Sequence, residues 1–385
     1  MRRTFLPFSP PFIGEEEISE VVDTLKSDWI TTGPKVKRFE KEFSACIGSQ
    51  AALATASATD AMLVGLAALG VEEGDEVITT PMTFCSTAHV IEHLGAKPVF
   101  ADVCRDTLNI DPKKIEEKIN PKTKVILPVH LYGHPCDMDS ILDLAKVHNL
   151  FVLEDAAHAF LATYKGNTIG TLGDLTAFSF YATKNITTGE GGMLTGSAEL
   201  IDEARIWSLH GMSRDAWTRY AEEGSWYYEV VRAGYKSNMS DIKAAIGIHQ
   251  LKKINAFQEM RRKIVERYNA AFVKLDEITI PPENEEVQSA WHIYAIRLNL
   301  ERLKIDRAQF IEELKKRNIG SSVHFIPLHI QPYYRDKYNY APEDYPVANA
   351  EYYRLVSLPI NLRLSEGDLD DVIQAVRDVI TMYRV

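Results

Sequence analysis

From Ala51 onward, short apolar runs alternate with amphipathic ones. The runs Ala51–Thr55, Glu76–Thr80, Pro98–Val103, Lys124–Val129 and Leu150–Glu154 have the length and bounding of buried strands. Between them, Thr59–Leu69, Thr83–Leu94, Asp111–Ile119 and Met138–His148 carry helical spacing. Strand and helix alternating over short connections predict βαβ units and a largely parallel sheet covered on both faces. Two helices precede this array. Glu15–Leu25 opens with an acidic first turn, and a second begins at Pro34 and aligns Val36, Phe39 and Phe43 on one face.

Two further strands are predicted at Ala177–Tyr181 and Gly192–Thr195, and then the pattern changes. Ala198–Leu209 is helical, whereas 212–235 is irregular and aromatic, with Trp217, Tyr220, Trp226, Tyr227 and Tyr228. Such segments serve as lids, binding loops or subunit contacts. A long helical pattern from Ser240 to Leu275, expected to kink or break once, leads into strands at His292–Leu298, Ser321–Phe325 and Ser357–Ile360. Helices at Arg307–Lys316, Asp344–Leu355 and Glu366–Met382 alternate with them. The expected organisation is a large α/β domain over 1–250, N-terminal helices included, and a smaller α+β domain over 251–385.

Composition narrows the class. The 385 residues are 45% hydrophobic and 25% charged, a profile that supports a sizeable folded core. A net charge of −11 without a basic stripe argues against nucleic acid as a partner. Cys46, Cys85, Cys104 and Cys136 form no C-x-x-C pair, so neither a disulfide framework nor a zinc site is expected, and the compartment predicted is the reducing cytoplasm. No run of apolar residues is long enough to span a membrane. His130 and His134 stand four apart, but Gly133 and Pro135 deny them a shared helix face, and no metal is expected. Dinucleotide and P-loop chemistry lack their glycine motifs.

The chemistry collects at predicted strand ends, where parallel sheets bind ligands. After the first strand, Ala56-Ser-Ala-Thr-Asp-Ala61 offers hydroxyls and free amides at a helix N-terminus, suited to a phosphate or simply to a helix cap. Val152-Leu-Glu-Asp155-Ala-Ala-His158 ends an apolar strand in carboxylates and a histidine. Phe178-Ser-Phe-Tyr-Ala-Thr-Lys184 delivers a lysine to a glycine-rich turn, with the Ser179 hydroxyl nearby. A lone lysine there is ordinarily solvated. A phosphate cradle, a buried acid, a histidine and a strand-end lysine together are what pyridoxal phosphate requires: a Schiff-base amine, a carboxylate for its ring nitrogen and an anchor for its phosphate.

Those stretches, with Gly234-Tyr-Lys-Ser-Asn-Met-Ser-Asp241 and Val323-His-Phe-Ile-Pro-Leu-His329, resemble the DegT/DnrJ/StrS nucleotide-sugar aminotransferases. Within that group the chain is most similar to enzymes that aminate C4 of a UDP-4-keto sugar, the UDP-4-amino-4-deoxy-L-arabinose aminotransferases. The resemblance spans the chain from Trp29 onward. It implies the aspartate-aminotransferase fold (fold type I), with a mostly parallel seven-stranded sheet in the large domain. It also implies a homodimer with shared active sites, glutamate as donor, and amino-sugar synthesis for lipopolysaccharide or another cell-surface polysaccharide.

Position by position, the resemblance implies Lys184 as the Schiff-base lysine, Asp155 at the pyridine nitrogen and His158 beside the ring. Phe84 would stack on the ring, where those enzymes carry Trp. Ser57, Ala58, Thr59, the Asp60 amide and Ser179 would hold the phosphate, and Asn238 would reach the phosphate of the other subunit. Thr32, Glu190, Tyr235, Lys236, His324 and His329 match substrate-side positions. A 3-keto sugar, a cyclitol ketone and a non-catalytic cofactor-binding regulator are the alternatives within the fold.

Overall fold

The computed structural model describes residues 2–213 and 227–385. Trp217, Tyr220 and Trp226 of the aromatic segment lie outside the described residues; Tyr227 and Tyr228 are exposed.

Seven strands form the main sheet: β1 (Ala51–Thr55), β2 (Glu76–Thr79), β3 (Lys97–Phe100), β4 (Thr123–Leu127), β5 (Phe151–Asp155), β6 (Leu175–Ser179) and β7 (Gly192–Gly196). Their order is β1-β7-β6-β5-β4-β2-β3, and β7 alone runs antiparallel to its neighbours. Alternate residues go to opposite faces. Ala54, Ile78, Ile126, Val152 and Phe178 join one core beneath the helices Pro34–Ile47 and Asp241–Phe272. Leu53, Val77, Val125, Leu153 and Leu175 join another beneath the helix Ala58–Ala68. This is the predicted α/β sheet covered on both faces.

The long helix departs from expectation. It runs unbroken from Asp241 to Phe272, and with no proline in that span it changes partners rather than direction. Ile248, Leu251, Ile254 and Phe257 pack in the first core, whereas Ile264, Val265, Tyr268 and Phe272 pack in the C-terminal one. Gly247 permits the close crossing, since a Cβ there would come within 2.6 Å of the Phe39 ring. The C-terminal core is built on a second sheet, β8 (Ile278–Thr279), β9 (Tyr294–Leu298) and β10 (Leu355–Leu358), and it also takes in Leu6 from the N-terminal segment.

Other boundaries also differ. The strand before Lys184 ends at Ser179, two residues earlier than its apolar run suggests. The predicted strand Ser321–Phe325 reduces to one bridge, Ser322 to Ser357, because the chain turns there toward the cavity described below. The helix predicted over Asp344–Leu355 is confined to Pro346–Tyr352, started afresh by its proline. A small sheet of Thr163–Tyr164, Asn167–Thr168 and Val287–Gln288 carries too few residues for any periodicity to show.

One carboxylate locks two helix starts together. Asp241, 1% exposed, opens the long helix and accepts the backbone N–H groups of Gly33 (2.8 Å), Val36 (2.9 Å) and Lys35 (3.1 Å) at the start of Pro34–Ile47. Hydrogen bonds to a buried charge are among the costlier to lose. Asp241→Ala is expected to destabilise the protein by on the order of 3 kcal/mol, measured as a lowered denaturation midpoint against wild type.

Candidate active site

The carboxyl ends of β1, β2, β5 and β6 open onto one cavity of about 460 Å³, a volume proper to a small-molecule site. Of the residues singled out from the sequence, Ser57, Ala58, Thr59, Phe84, Asp155, His158, Ser179, Lys184, Glu190 and His324 line it.

The polypeptide holds the lysine turn firmly. Phe180 N–H donates to the Gly191 carbonyl (2.9 Å), Thr188 N–H to the Phe180 carbonyl (2.9 Å) and Lys184 N–H to the Tyr181 carbonyl (2.9 Å). Gly192 lets this turn press on the start of the Ala58–Ala68 helix, because a Cβ there would lie 2.4 Å from the Ser57 carbonyl group. Lysine turn and helix N-terminus are thereby brought side by side. Burial lowers the Lys184 amine to about 8, and the charge of Asp155 opposes that shift.

Asp155 is 4% exposed and doubly held: Thr87 Oγ1 donates to Oδ2 at 2.8 Å and Ala157 N–H to Oδ1 at 3.1 Å. Burial raises its pKa; these hydrogen bonds and the Lys184 charge work against the rise. Thr87 is in turn paired with Thr83 (2.8 Å). Behind the strand, His130 Nε2 meets Glu154 (2.8 Å), whose other oxygen accepts from Gly173 N–H and Thr176 Oγ1.

Three histidines face the cavity. His158 Nδ1 accepts the Tyr132 N–H (3.2 Å), so its neutral ring carries the proton on Nε2. Burial, the Lys184 charge and His324 hold it well below the usual histidine pKa. His324 is lowered to about 4, by burial first and Lys184 second. The His292 ring lies 4.5 Å from that of His158, centroid to centroid, tilted by 42°. Tyr132 joins all three segments, with its N–H on His158, its hydroxyl on the His324 carbonyl and its own carbonyl accepting from His292 N–H. It does so in the left-handed region (φ 61°), a strained backbone for a tyrosine.

The remaining expected residues lie off the cavity wall. The Asp60 amide is taken by the Ser57 hydroxyl (3.1 Å), and its carboxylate accepts from Ser57 and Ser237. Thr32, Lys236 and Asn238 hydrogen-bond among themselves, and Tyr235 packs against Trp207. His329 is fully buried beside Tyr345. The sequence reading missed Thr87, Tyr132 and His292. For Thr87 the four-residue spacing from Thr83 was the available signal, whereas His292 and Tyr132 reach the site through tertiary contacts that no local pattern announces.

The arrangement fits a flat, phosphorylated pyridine aldehyde. The Ala58 and Thr59 amides, at the positive end of a helix, have no hydrogen-bond partner among the described residues, and the Ser179 and Thr59 hydroxyls stand beside them. Asp155 offers a carboxylate to a ring nitrogen, and Lys184 an amine to the aldehyde. Fold and site together make the chain a fold-type-I, pyridoxal-phosphate-dependent aminotransferase. Residues 11–377 match the model of the DegT/DnrJ/EryC1/StrS aminotransferase family, and the chain belongs to that family.

It is 52% identical over 381 residues to the spore coat polysaccharide biosynthesis protein SpsC of Bacillus subtilis, covering 98% of each chain. Spr1654 of Streptococcus pneumoniae, assigned as a sugar aminotransferase, superposes in its PMP form with a TM-score of 0.92 at 38% identity. That match covers 98% of this chain and 99% of the other; the PLP form gives 0.91 and 37%, with the same coverage. PseC of Helicobacter pylori, an aminotransferase involved in the biosynthesis of pseudoaminic acid, gives 0.91 at 29% identity over 99% and 100% of the two chains.

In cofactor-free protein, Lys184 is expected to become reactive toward reductive methylation with a midpoint near pH 8, against 10.5 for an ordinary lysine. Asp155→Asn removes the charge that opposes this shift and should move the midpoint lower, as read by peptide mass spectrometry across a pH series. The linked stability effect has a defined sign. The cost of burying the ammonium is present in full below about pH 8 and fades as pH rises toward 10.5.

Proposed function

We propose that the protein transfers an amino group from glutamate to a nucleotide-linked keto sugar, a UDP-4-keto sugar as in the UDP-4-amino-4-deoxy-L-arabinose aminotransferases. The observation that carries the proposal is the convergence of Lys184, Asp155 and the Ser57–Thr59 helix start on one cavity. SpsC supports a sugar destined for a surface polysaccharide, and PseC supports a sugar acceptor, through the processes their names state. A 3-keto sugar or a cyclitol ketone would use the same machinery.

When bound, pyridoxal phosphate supplies an aldehyde that takes up the amino group and a ring that spreads the charge left when a C–H bond breaks. Asp155, its carboxylate oriented by Thr87 and Ala157, would hold a proton at the ring nitrogen. The Ala58 and Thr59 amides and the Ser179 hydroxyl would hold the phosphate, and Phe84, 56% exposed at the mouth, would cover the ring. Lys184 moves a proton off the donor's α-carbon in the first half-reaction and onto the sugar carbon in the second. An amine lowered to about 8 is suited to both directions near neutral pH. Glu190, exposed on the cavity rim, and His324 face the sugar.

The working unit we propose is a homodimer. Ile18, Val22, Leu25, Trp29 and Ile30 are exposed on and just beyond the first helix, an apolar stripe suited to a second copy. Thr32, Lys236 and Asn238, grouped away from this chain's cavity, would complete the partner's site. The division into 1–250 and 251–385 is likewise proposed, supported by the change of core along the long helix. The compartment proposed is the cytoplasm, in keeping with four free cysteines.

Two experiments test this reading. Wild-type protein loaded with pyridoxal phosphate should show a borohydride-sensitive visible band that glutamate converts to the pyridoxamine form. Lys184→Ala should lower kcat by about 10³-fold or more, and full turnover by that variant defeats the assignment. In sedimentation, the wild type should run as a dimer and an Ile18→Asp/Leu25→Asp variant as a monomer with little activity.

A further inference from the structure

His292 has no part in the chemistry above, yet it is built into the site. It is 6% exposed and lines the same cavity as Lys184. Its Nδ1 stands 3.1 Å from Oδ1 of Asn185, the residue directly after Lys184. The Asn185 amide nitrogen donates to the Ala290 carbonyl (2.8 Å), which turns the amide oxygen toward His292 and makes His292 Nδ1 the donor. Asn185 is itself 5% exposed, so this hydrogen bond joins two buried polar groups.

The segment bearing His292 is anchored independently of the lysine turn. Ala290 N–H donates to the Gly133 carbonyl (2.9 Å) and His292 N–H to the Tyr132 carbonyl (3.0 Å). From below, the buried Arg261 guanidinium donates to the Trp291 and His292 carbonyls (3.2 and 3.4 Å). The ring of His292 meets that of His158 at 4.5 Å. One side chain thus spans the two groups nearest the chemistry, by hydrogen bond toward Lys184 and by ring contact toward His158.

We propose that His292 is a positioning residue for Lys184, acting through Asn185, and that the pair fixes where the lysine amine stands as it carries its proton. The inference rests on the role given to Lys184 above. His292 suits the task because it stays uncharged. Burial, His158, Lys184, Arg261 and His324 all act against its protonation, so its donor does not vary over the working pH range.

The test uses His292→Phe, which keeps a ring without the donor, His292→Gln, which keeps a donor, Asn185→Ala, and the double variant Asn185→Ala/His292→Phe. Two quantities are read: kcat and KM with glutamate in the holoenzyme, and the pH midpoint of Lys184 methylation in cofactor-free protein. His292→Phe and Asn185→Ala should each lower kcat by about tenfold to a hundredfold with little change in KM. Both should displace the Lys184 midpoint, His292→Gln should recover most of the loss, and the double variant should be no worse than either single one.

Additive losses in the double variant overturn the proposal, as do wild-type kcat and midpoint in a folded His292→Phe. Asn185→Ala leaves the histidine in place and decides the matter even where His292→Phe does not fold. If borohydride fails to fix pyridoxal phosphate to Lys184 in the wild type, the Lys184 assignment itself falls and this inference with it. An indifferent His292→Phe beside a normal wild type overturns the inference alone.

Discussion

A half-buried ammonium and a buried carboxylate at the floor of one cavity set the terms for the rest of the structure. Burial raises Asp155 and lowers Lys184, and each charge counteracts the other's shift. Neither group is cheap to bury alone, and two hydrogen bonds to Asp155 offset part of what remains. The balance leaves the amine at about 8, where it gives and takes a proton with little bias. Tighter pairing would raise Lys184 back toward the ordinary lysine range, and loss of the carboxylate would lower it further.

The surrounding residues keep that balance by adding no further cation. His158, His292 and His324 all face the cavity, and all are held below the ordinary histidine pKa, chiefly by burial. Their hydrogen bonds go to neutral partners: a backbone N–H, an amide oxygen and a serine hydroxyl. Tyr132 spends a strained backbone conformation to reach all three segments at once. The strain is sustained because the sheet's rim and the segment entering β9 over-determine the tyrosine's position.

Much of this was legible before any coordinates, for a physical reason. Buried parallel strands read as apolar runs, and their carboxyl ends are where polar residues become informative, so Ser57, Asp155 and Lys184 could be picked out one strand at a time. The alternation of strand and helix from Ala51 to Asp155 and a largely parallel sheet followed from periodicity, whereas the count of seven strands was implied by the family resemblance. Residue roles, donor and sugar came from the family resemblance instead. What was not legible was whatever depends on contacts remote in sequence. The unbroken long helix is one case, since its partners change at a point its own pattern does not mark. The link from Asn185 to His292 is another, joining residues 107 positions apart. His329 shows the converse: a histidine in a motif-like stretch that the packing buries beside Tyr345, away from the cavity.

The site is graded from floor to mouth, and the grading separates chemistry from selection. Asp155, His158 and His292 are buried and hydrogen-bonded to the frame, which fixes where each stands. Phe84, Tyr181 and Glu190 are exposed at the rim and lightly held. Substitution there alters what enters without altering the amine or its counter-charge. The buried floor and the exposed rim are thus separate layers of one cavity, and the rim can vary in sequence without displacing Lys184 or Asp155. Phe84 illustrates the point: in the proposed role any aromatic side chain would cover a flat ring, so an exchange with Trp would change the mouth rather than the buried amine and carboxylate.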